Sequence, residues 1–308
     1  MKIGIIGSGA IGLYYGARLQ RIGQEVHFLA RSDFESIRKN GIQVRVSDGD
    51  FTLNPVNVHH SSGTIGVCDL VIVAMKATSN HAIESLTRPL VGETTTLLTF
   101  QNGLSNDRFL AGLFPGHRVL NGLCFICLNR VGPGVVDCFI LGSISIGEFQ
   151  AKASPFTRQL KDIFNEAGMN CSVYDDLQLA QWKKLVWNVP FNGLTITGGG
   201  ITTQDILEDS GLSQLVLDLM NEIREGAAAL GMSISSDFPQ EQIDKTRGMG
   251  PYKPSSVIDF LHKKPVEVEA IWGEPLRQAQ SAGAQLPKLE MLYHLLRVIC
   301  SGDRLVRA

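Results

Sequence analysis

The chain has no apolar run long enough to cross a membrane: its longest clean stretch, residues 70–75, falls far short of the roughly 20 residues a spanning helix needs. It also lacks an excess of either charge. Lys plus Arg number 28 against 30 Asp plus Glu, for a net charge of -2. With no positive field to gather phosphate backbones, nucleic acid is not expected as a partner. Internal repeats and low-complexity tracts are missing too, which removes solenoids and disordered arrays. Cysteine is sparse and scattered: Cys68, Cys124, Cys127, Cys138, Cys171 and Cys300 mostly occupy apolar or strand-like surroundings, as reduced core thiols do. Cys124 and Cys127 form a C-x-x-C, but no second Cys or His pair follows at ligand spacing, so no metal is expected. The opening residues 1–7 break at Ser8-Gly9 without a small-residue cleavage site, and the chain is therefore expected to be cytoplasmic. What remains is ordinary globular composition, 44% hydrophobic and 19% charged, in a chain of 308 residues that suggests two domains.

Short β-rich runs alternate with helical stretches from the start. Strands are predicted at 2–7, 25–30, 70–75 and 95–99, and helices at 11–22 (closed by Gly23), 34–39, 79–90 and 105–113. Such alternation predicts a doubly wound parallel sheet of Rossmann type. Runs at 43–45 and 51–53 read as a hairpin. Three close-set runs at 118–127, 135–140 and 143–147, with no helix between them, predict an antiparallel extension of the sheet. Past residue 174 the period changes to helical, most clearly at 177–192, 212–230, 266–282 and 291–299. The expected division is a dinucleotide-binding domain over 1–177 and an all-helical domain over 178–308. Those helices leave open whether they pack only on one another or also on a second copy, a homodimer being the commonest assembly. The segment 246–256, rich in Gly and Pro, is either a connector or a cover over a site.

Gly7-Ser8-Gly9-Ala10-Ile11-Gly12 fits G-x-G-x-x-G at a strand-to-helix turn. Gly7 permits the tight turn, Gly9 the approach of a pyrophosphate, and Gly12 the packing of helix on strand. The helix start, at Ala10 and Ile11, offers unpaired N–H groups and positive potential to phosphates. Where the second strand ends, an NAD enzyme normally carries an acid for the ribose hydroxyls, and here Arg31 stands instead. A guanidinium pairs well with a 2'-phosphate, so the cofactor is expected to be NADP.

Lys184, Asn188 and Asn192 recur every four residues, which on a helix makes one polar stripe set among Leu185, Val186, Trp187 and Phe191. Polar groups in such a surface need partners or a ligand. Pro190 interrupts the stripe and is expected to kink the helix. Asn102 precedes Gly103, so turn chemistry alone could explain it, yet it also follows a strand at the carboxyl edge, where open α/β sheets bind ligands. Lys76 shares that placement. Glu267, two residues after Pro265, is expected in the first turn of a helix. Ser255 and Ser256 look like N-cap residues, Asp259 completing S-x-x-D from Ser256. For Glu267 and Ser255, spacing alone supports helix-end chemistry as well as a site.

In order along the chain, Val73-Ala74-Met75-Lys76, Gln101-Asn102-Gly103-Leu104, Lys184 with Asn188 and Asn192, Ser255-Ser256-Val257-Ile258-Asp259 and Glu267 resemble the ketopantoate reductases (2-dehydropantoate 2-reductases). The resemblance implies NADPH-dependent reduction of 2-dehydropantoate to (R)-pantoate, a step toward pantothenate and coenzyme A. It implies Lys184 as proton donor, because hydride attack on a ketone leaves an alkoxide that needs a proton as it forms. It further implies Asn102 as a contact of both cofactor and substrate, and Asn188, Asn192 and Ser255 as substrate contacts. Lys76 and Glu267 become cofactor and active-site residues, and Cys127 stands where members often carry a small Ala near the cofactor. No counterpart is found for a further substrate Asn that some members carry downstream, which leaves open a related enzyme for another 2-oxo acid. A non-catalytic NADP sensor is the remaining alternative.

Overall fold

The computed structural model describes residues 1–301; the final positions of the expected second domain, 302–308, lie outside the described residues. Two compact units are present, one of residues 1–101 with 106–177, the other of Asn102–Ser105 with the chain from Gln178 onward.

In the first unit the elements run β1 (Lys2–Ile6), α1 (Ala10–Arg21), β2 (Glu25–Leu29), α2 (Phe34–Asn40), β3 (Ile42–Val46), β4 (Phe51–Leu53), β5 (Asn57–His59) and β6 (Leu70–Val73). There follow α3 (Ile83–Thr87), β7 (Thr96–Thr99), α4 (Asn106–Leu113), β8 (Val119–Gly132), β9 (Val135–Glu148), α5 (Pro155–Glu166) and β10 (Asn170–Val173). All strands join one sheet in the order β4-β3-β9-β8-β7-β6-β1-β2-β5, with β10 also on β9. From β5 to β8 every neighbour is parallel. That order, with its reversal at β1, is the Rossmann type. The parallel strands are apolar on both sides because both faces are covered. Leu13, Tyr15, Phe28, Leu98 and Phe164 pack on one face, and Ile6, Val71, Leu97 and Leu110 on the other.

The hairpin of β3 and β4 forms around Asp50, whose Oδ1 accepts from Val46 N at 2.8 Å. Three expectations need correction. Residues 79–90 are not one helix: 3-10 turns at Ala77–Ala82 and Arg88–Leu90 flank the short α3. Ser79 departs from helical geometry and Pro89 donates no N–H, so a continuous ladder cannot form. The extension after 118 is only partly antiparallel, since α4 serves as a crossover that returns β8 parallel to β7. Past that pairing β8 forms a long antiparallel hairpin with β9, where 135–140 and 143–147 merge into one strand through local irregularities. β5, α5 and β10 have no counterpart in the sequence reading. For α5 a signal existed: Ser154 caps Thr157 N ahead of Pro155, and Leu160 and Phe164 are buried one turn apart.

The second unit is helical throughout its described residues: α6 (Leu177–Thr197), α7 (Thr203–Glu208), α8 (Ser210–Ala229), α9 (Phe238–Arg247) and α10 (Ser255–Leu261), then a π-helical turn at Glu269–Gly273, α11 (Glu274–Ser281) and α12 (Pro287–Cys300). Trp182, Val189, Phe191, Met220, Ile223 and Trp272 form its core. The buried carboxylate of Glu222 on α8 accepts from Lys288 N and Leu289 N at 3.0 and 2.8 Å and so caps α12 across the bundle. α6 runs through Pro190 as one helix. Nearby, Trp272 Nε1 donates to Val189 O at 2.9 Å, one of the tertiary contacts that hold this stretch. No helix among the described residues is long and apolar enough to cross a membrane.

Candidate active site

In the first unit, Ile6, Leu29, Val73 and Thr99 lie level across β1, β2, β6 and β7, so the loops after these strands open on one edge of the sheet. Gly7 turns there with φ +111°, and a Cβ would stand 2.6 Å from Met75 N. At Gly12 a Cβ would lie 2.1 Å from Gly7 O, so both glycines are required by the chain's own packing. Gly9 differs: a Cβ there would meet nothing within 4 Å. It caps α1 without a side-chain bond, so the first N–H groups of α1, those of Ala10, Ile11 and Gly12, have neither an intrahelical acceptor nor a capping side chain. That is the cradle a dinucleotide pyrophosphate requires. Ser8 Oγ donates to Leu29 O and ties the loop to the end of β2.

Arg31 follows β2, exposed and without a hydrogen bond or ion pair among the described residues. The nearest acid, Asp33, is buried and committed: it accepts from Ser32 Oγ, Arg130 and Gly134 N. Burial would raise its carboxyl, but these bonds hold it below the usual range. Lys76 is exposed on the loop after β6. Cys127 is half-buried on β8 opposite Ile140, beyond the part of the strand that pairs with β7. A residue the motif reading left without a role is Gln101, whose Nε2 donates to Asn80 Oδ1 at 2.7 Å while Asn80 Nδ2 reaches Asn106 Oδ1. Position in a motif was its only sequence signal.

In the second unit α6 presents the stripe. Lys184 Nζ donates to Asn102 Oδ1 at 3.0 Å, which joins two residues 82 positions apart. The next member, Asn188, is only 9% exposed, and its side-chain amide has no hydrogen-bond partner among the described residues. A largely buried amide left without a protein partner is suited to meet a ligand. Asn192 is 3% exposed and is used within the fold: Nδ2 donates to Asn188 O at 2.9 Å and Oδ1 accepts from Ser256 N at 3.2 Å. One amide hydrogen and one lone pair remain. The capping box expected from Ser256 and Asp259 does not form, because α10 begins at Ser255 with Pro254 as its cap and Asn192 supplies the acceptor from another helix. Ser255 opens α10 and is exposed. Glu267 is buried at 5% exposure and precedes its helix instead of lying in the first turn; its carbonyl accepts from Ile271 N.

Sequence profiles of protein families match the chain over residues 3–151 (ketopantoate reductase PanE/ApbA) and 176–299 (the C-terminal part of the same family). A 2-dehydropantoate 2-reductase of Nostoc sp. is 39% identical, over 98% of this chain and 96% of that protein. The crystal structure of 2-dehydropantoate 2-reductase from Geobacter metallireducens superposes with a TM-score of 0.94 at 42% identity, over 97% of this chain and 99% of the other. For the enzyme of the same name from Methylococcus capsulatus the values are 0.91 and 32%, over 97% and 96%.

Proposed function

The chain belongs to the ketopantoate reductase PanE/ApbA family, and from that premise we propose that it catalyses NADPH-dependent reduction of 2-dehydropantoate to (R)-pantoate in the cytoplasm. The observation that carries the proposal is the Lys184–Asn102 pair one helical turn from the unpartnered Asn188 amide: a proton donor beside a buried polar site.

Gly7 to Gly12 and the first N–H groups of α1 receive the pyrophosphate, Arg31 the 2'-phosphate, and Lys76, Asn102, Cys127 and Glu267 complete the cofactor contacts. NADPH, when bound, supplies the hydride. Asn188, Ser255 and the remaining valence of Asn192 orient the 2-oxo acid, and Lys184 Nζ transfers a proton to the carbonyl oxygen as its negative charge develops. Asn102 Oδ1 holds the ammonium in place, so little reorganisation is needed at the moment of transfer. The division into a cofactor domain over 1–177 and a substrate domain over 178–308 belongs to this reading, as does a homodimer.

The test is oxidation of NADPH by purified protein with 2-dehydropantoate, run beside NADH and two other 2-oxo acids. Turnover selective for 2-dehydropantoate and NADPH is expected, with Lys184→Ala reducing kcat by about 10² to 10⁴ while NADPH still binds. Preference for another 2-oxo acid, or full activity in Lys184→Ala, refutes it.

A further inference from the structure

The turn that holds Asn102 is anchored by residues outside the chemistry. Gly103 has φ +84°, and a Cβ there would lie 2.2 Å from Ala270 O; Ser105, which is not glycine, has φ +66°. A left-handed serine is strained and persists only where its surroundings hold it. Two tethers do so. Leu104 N donates to Ala270 O at 2.9 Å. Ala270 O is free to accept because Glu274 N bonds Glu269 O across the π-helical turn and Pro275, the next residue, has no N–H. The second tether is a triangle. Ser105 Oγ donates to Glu274 Oε1 at 2.6 Å, and Gln278 Nε2 donates to both Ser105 Oγ and Glu274 Oε1, at 3.1 and 3.0 Å. Arg277 holds the other carboxylate oxygen at 3.2 Å. Burial would raise the Glu274 carboxyl, yet the bonds from Gln278, Ser105 and Arg277 keep it below its usual value and ionised.

We propose that Glu274 is a positioning residue for the reduction: through Ser105 and Gln278 it fixes the Asn102–Ser105 turn, and with it the Asn102 oxygen that receives the Lys184 ammonium. The inference rests on the role given to Lys184 above. The role assigned to Glu274 runs through the turn and requires no contact of its own with substrate or cofactor. Releasing its bonds lets the turn relax toward ordinary backbone angles and moves Asn102 off Lys184, and a misplacement of about 1 Å lowers turnover by up to roughly 10²-fold.

The experiment compares kcat, KM for the 2-oxo acid, NADPH affinity and melting temperature in Ser105→Ala, Glu274→Ala, Glu274→Gln, the Ser105→Ala/Glu274→Ala double variant and Lys184→Ala. Ser105→Ala and Glu274→Ala are each expected to lower kcat about tenfold or more with NADPH affinity unchanged. The double variant is expected to be no worse than the poorer single one, because both cut the same link. Glu274→Gln, whose amide oxygen still accepts from Ser105, is expected to recover most of kcat. Native kcat in Ser105→Ala and Glu274→Ala beside an inactive Lys184→Ala overturns the positioning role and leaves the function standing. An active Lys184→Ala overturns the function itself. Losses that multiply in the double variant also overturn the positioning role. Should Glu274→Ala fail to fold, Ser105→Ala decides alone, and native kcat in it refutes the proposal.

Discussion

Replacing Asn192 by Ala separates what this residue does for the fold from what it does for the substrate. Two bonds disappear, Nδ2 to Asn188 O and Ser256 N to Oδ1. Asn188 O keeps the backbone N–H of residue 192 as a helical partner, so the first loss is small. The second strands a donor on Ser256, a residue only 3% exposed, in the first turn of α10. Loss of a helix cap costs about 1 kcal/mol, and a buried donor left without an acceptor costs about 1–3 kcal/mol. Counted once, because they are the same event, they give about 2 kcal/mol. At roughly 2–4 °C per kcal/mol for a domain of this size, melting should fall by about 4–8 °C. Thermal unfolding followed by circular dichroism, paired with titration of the 2-oxo acid, measures both effects. Asn192→Asp, which keeps an acceptor for Ser256 N, should regain part of the lost stability. If Asn192→Ala melts with the native protein while losing substrate affinity, the amide serves the ligand alone and its role in holding α10 is wrong.

Gly9→Ala should melt like the native protein but bind NADPH weakly, because its Cβ meets no protein atom and fills the phosphate cradle; Gly12→Ala, with a Cβ 2.1 Å from Gly7 O, should lose stability by thermal melting even without cofactor. Asp33 and Glu148 both have carboxyls held below their usual range: burial opposes this, but Arg130, Ser32 and Gly134 outweigh it at Asp33, and Ser154, Thr157 and Arg118 at Glu148. Since the folded values lie below the unfolded ones, their stabilisation is complete above the ordinary carboxylate range near pH 4 and is lost as pH falls through the folded values. Melting temperature against pH should therefore decline more steeply below about pH 4 in the native protein than in Asp33→Asn, and parallel curves would remove Asp33 from the account.

The parallel sheet was legible because its strands are short apolar runs separated by helices, and the phosphate loop because Gly7 and Gly12 answer steric demands that any sequence must meet. Helix-end chemistry was less legible. Ser256 and Asp259 make a local capping pattern, yet the acceptor for Ser256 N is the Asn192 side chain, 64 positions away, and no local pattern reports a partner at that separation. The π-helical turn was hidden for a similar reason: Pro275 signals a break, while the outcome depends on where the displaced carbonyls find donors. For the site, spacing singled out Lys184, Asn188 and Asn192, whereas Glu267 and Ser255 needed the family resemblance because both also suit a helix start. Nothing in the sequence marks Ser105, Glu274 and Gln278, which meet only through the fold.

If the chain uses NADPH as proposed, Asp33 ties coenzyme choice to the architecture of the sheet. Its carboxylate is the acceptor for Arg130 and for Gly134 N in the turn between β8 and β9, two residues past Arg31. Turning that carboxylate outward to receive ribose hydroxyls would strip both donors and loosen the hairpin, and a new acid at position 31 would set a second negative charge close to a buried one. A lineage moving to the unphosphorylated coenzyme therefore cannot change one residue in isolation. It has to find another closure for the β8–β9 turn first, so that the NADPH preference proposed above would be inherited together with a piece of scaffold.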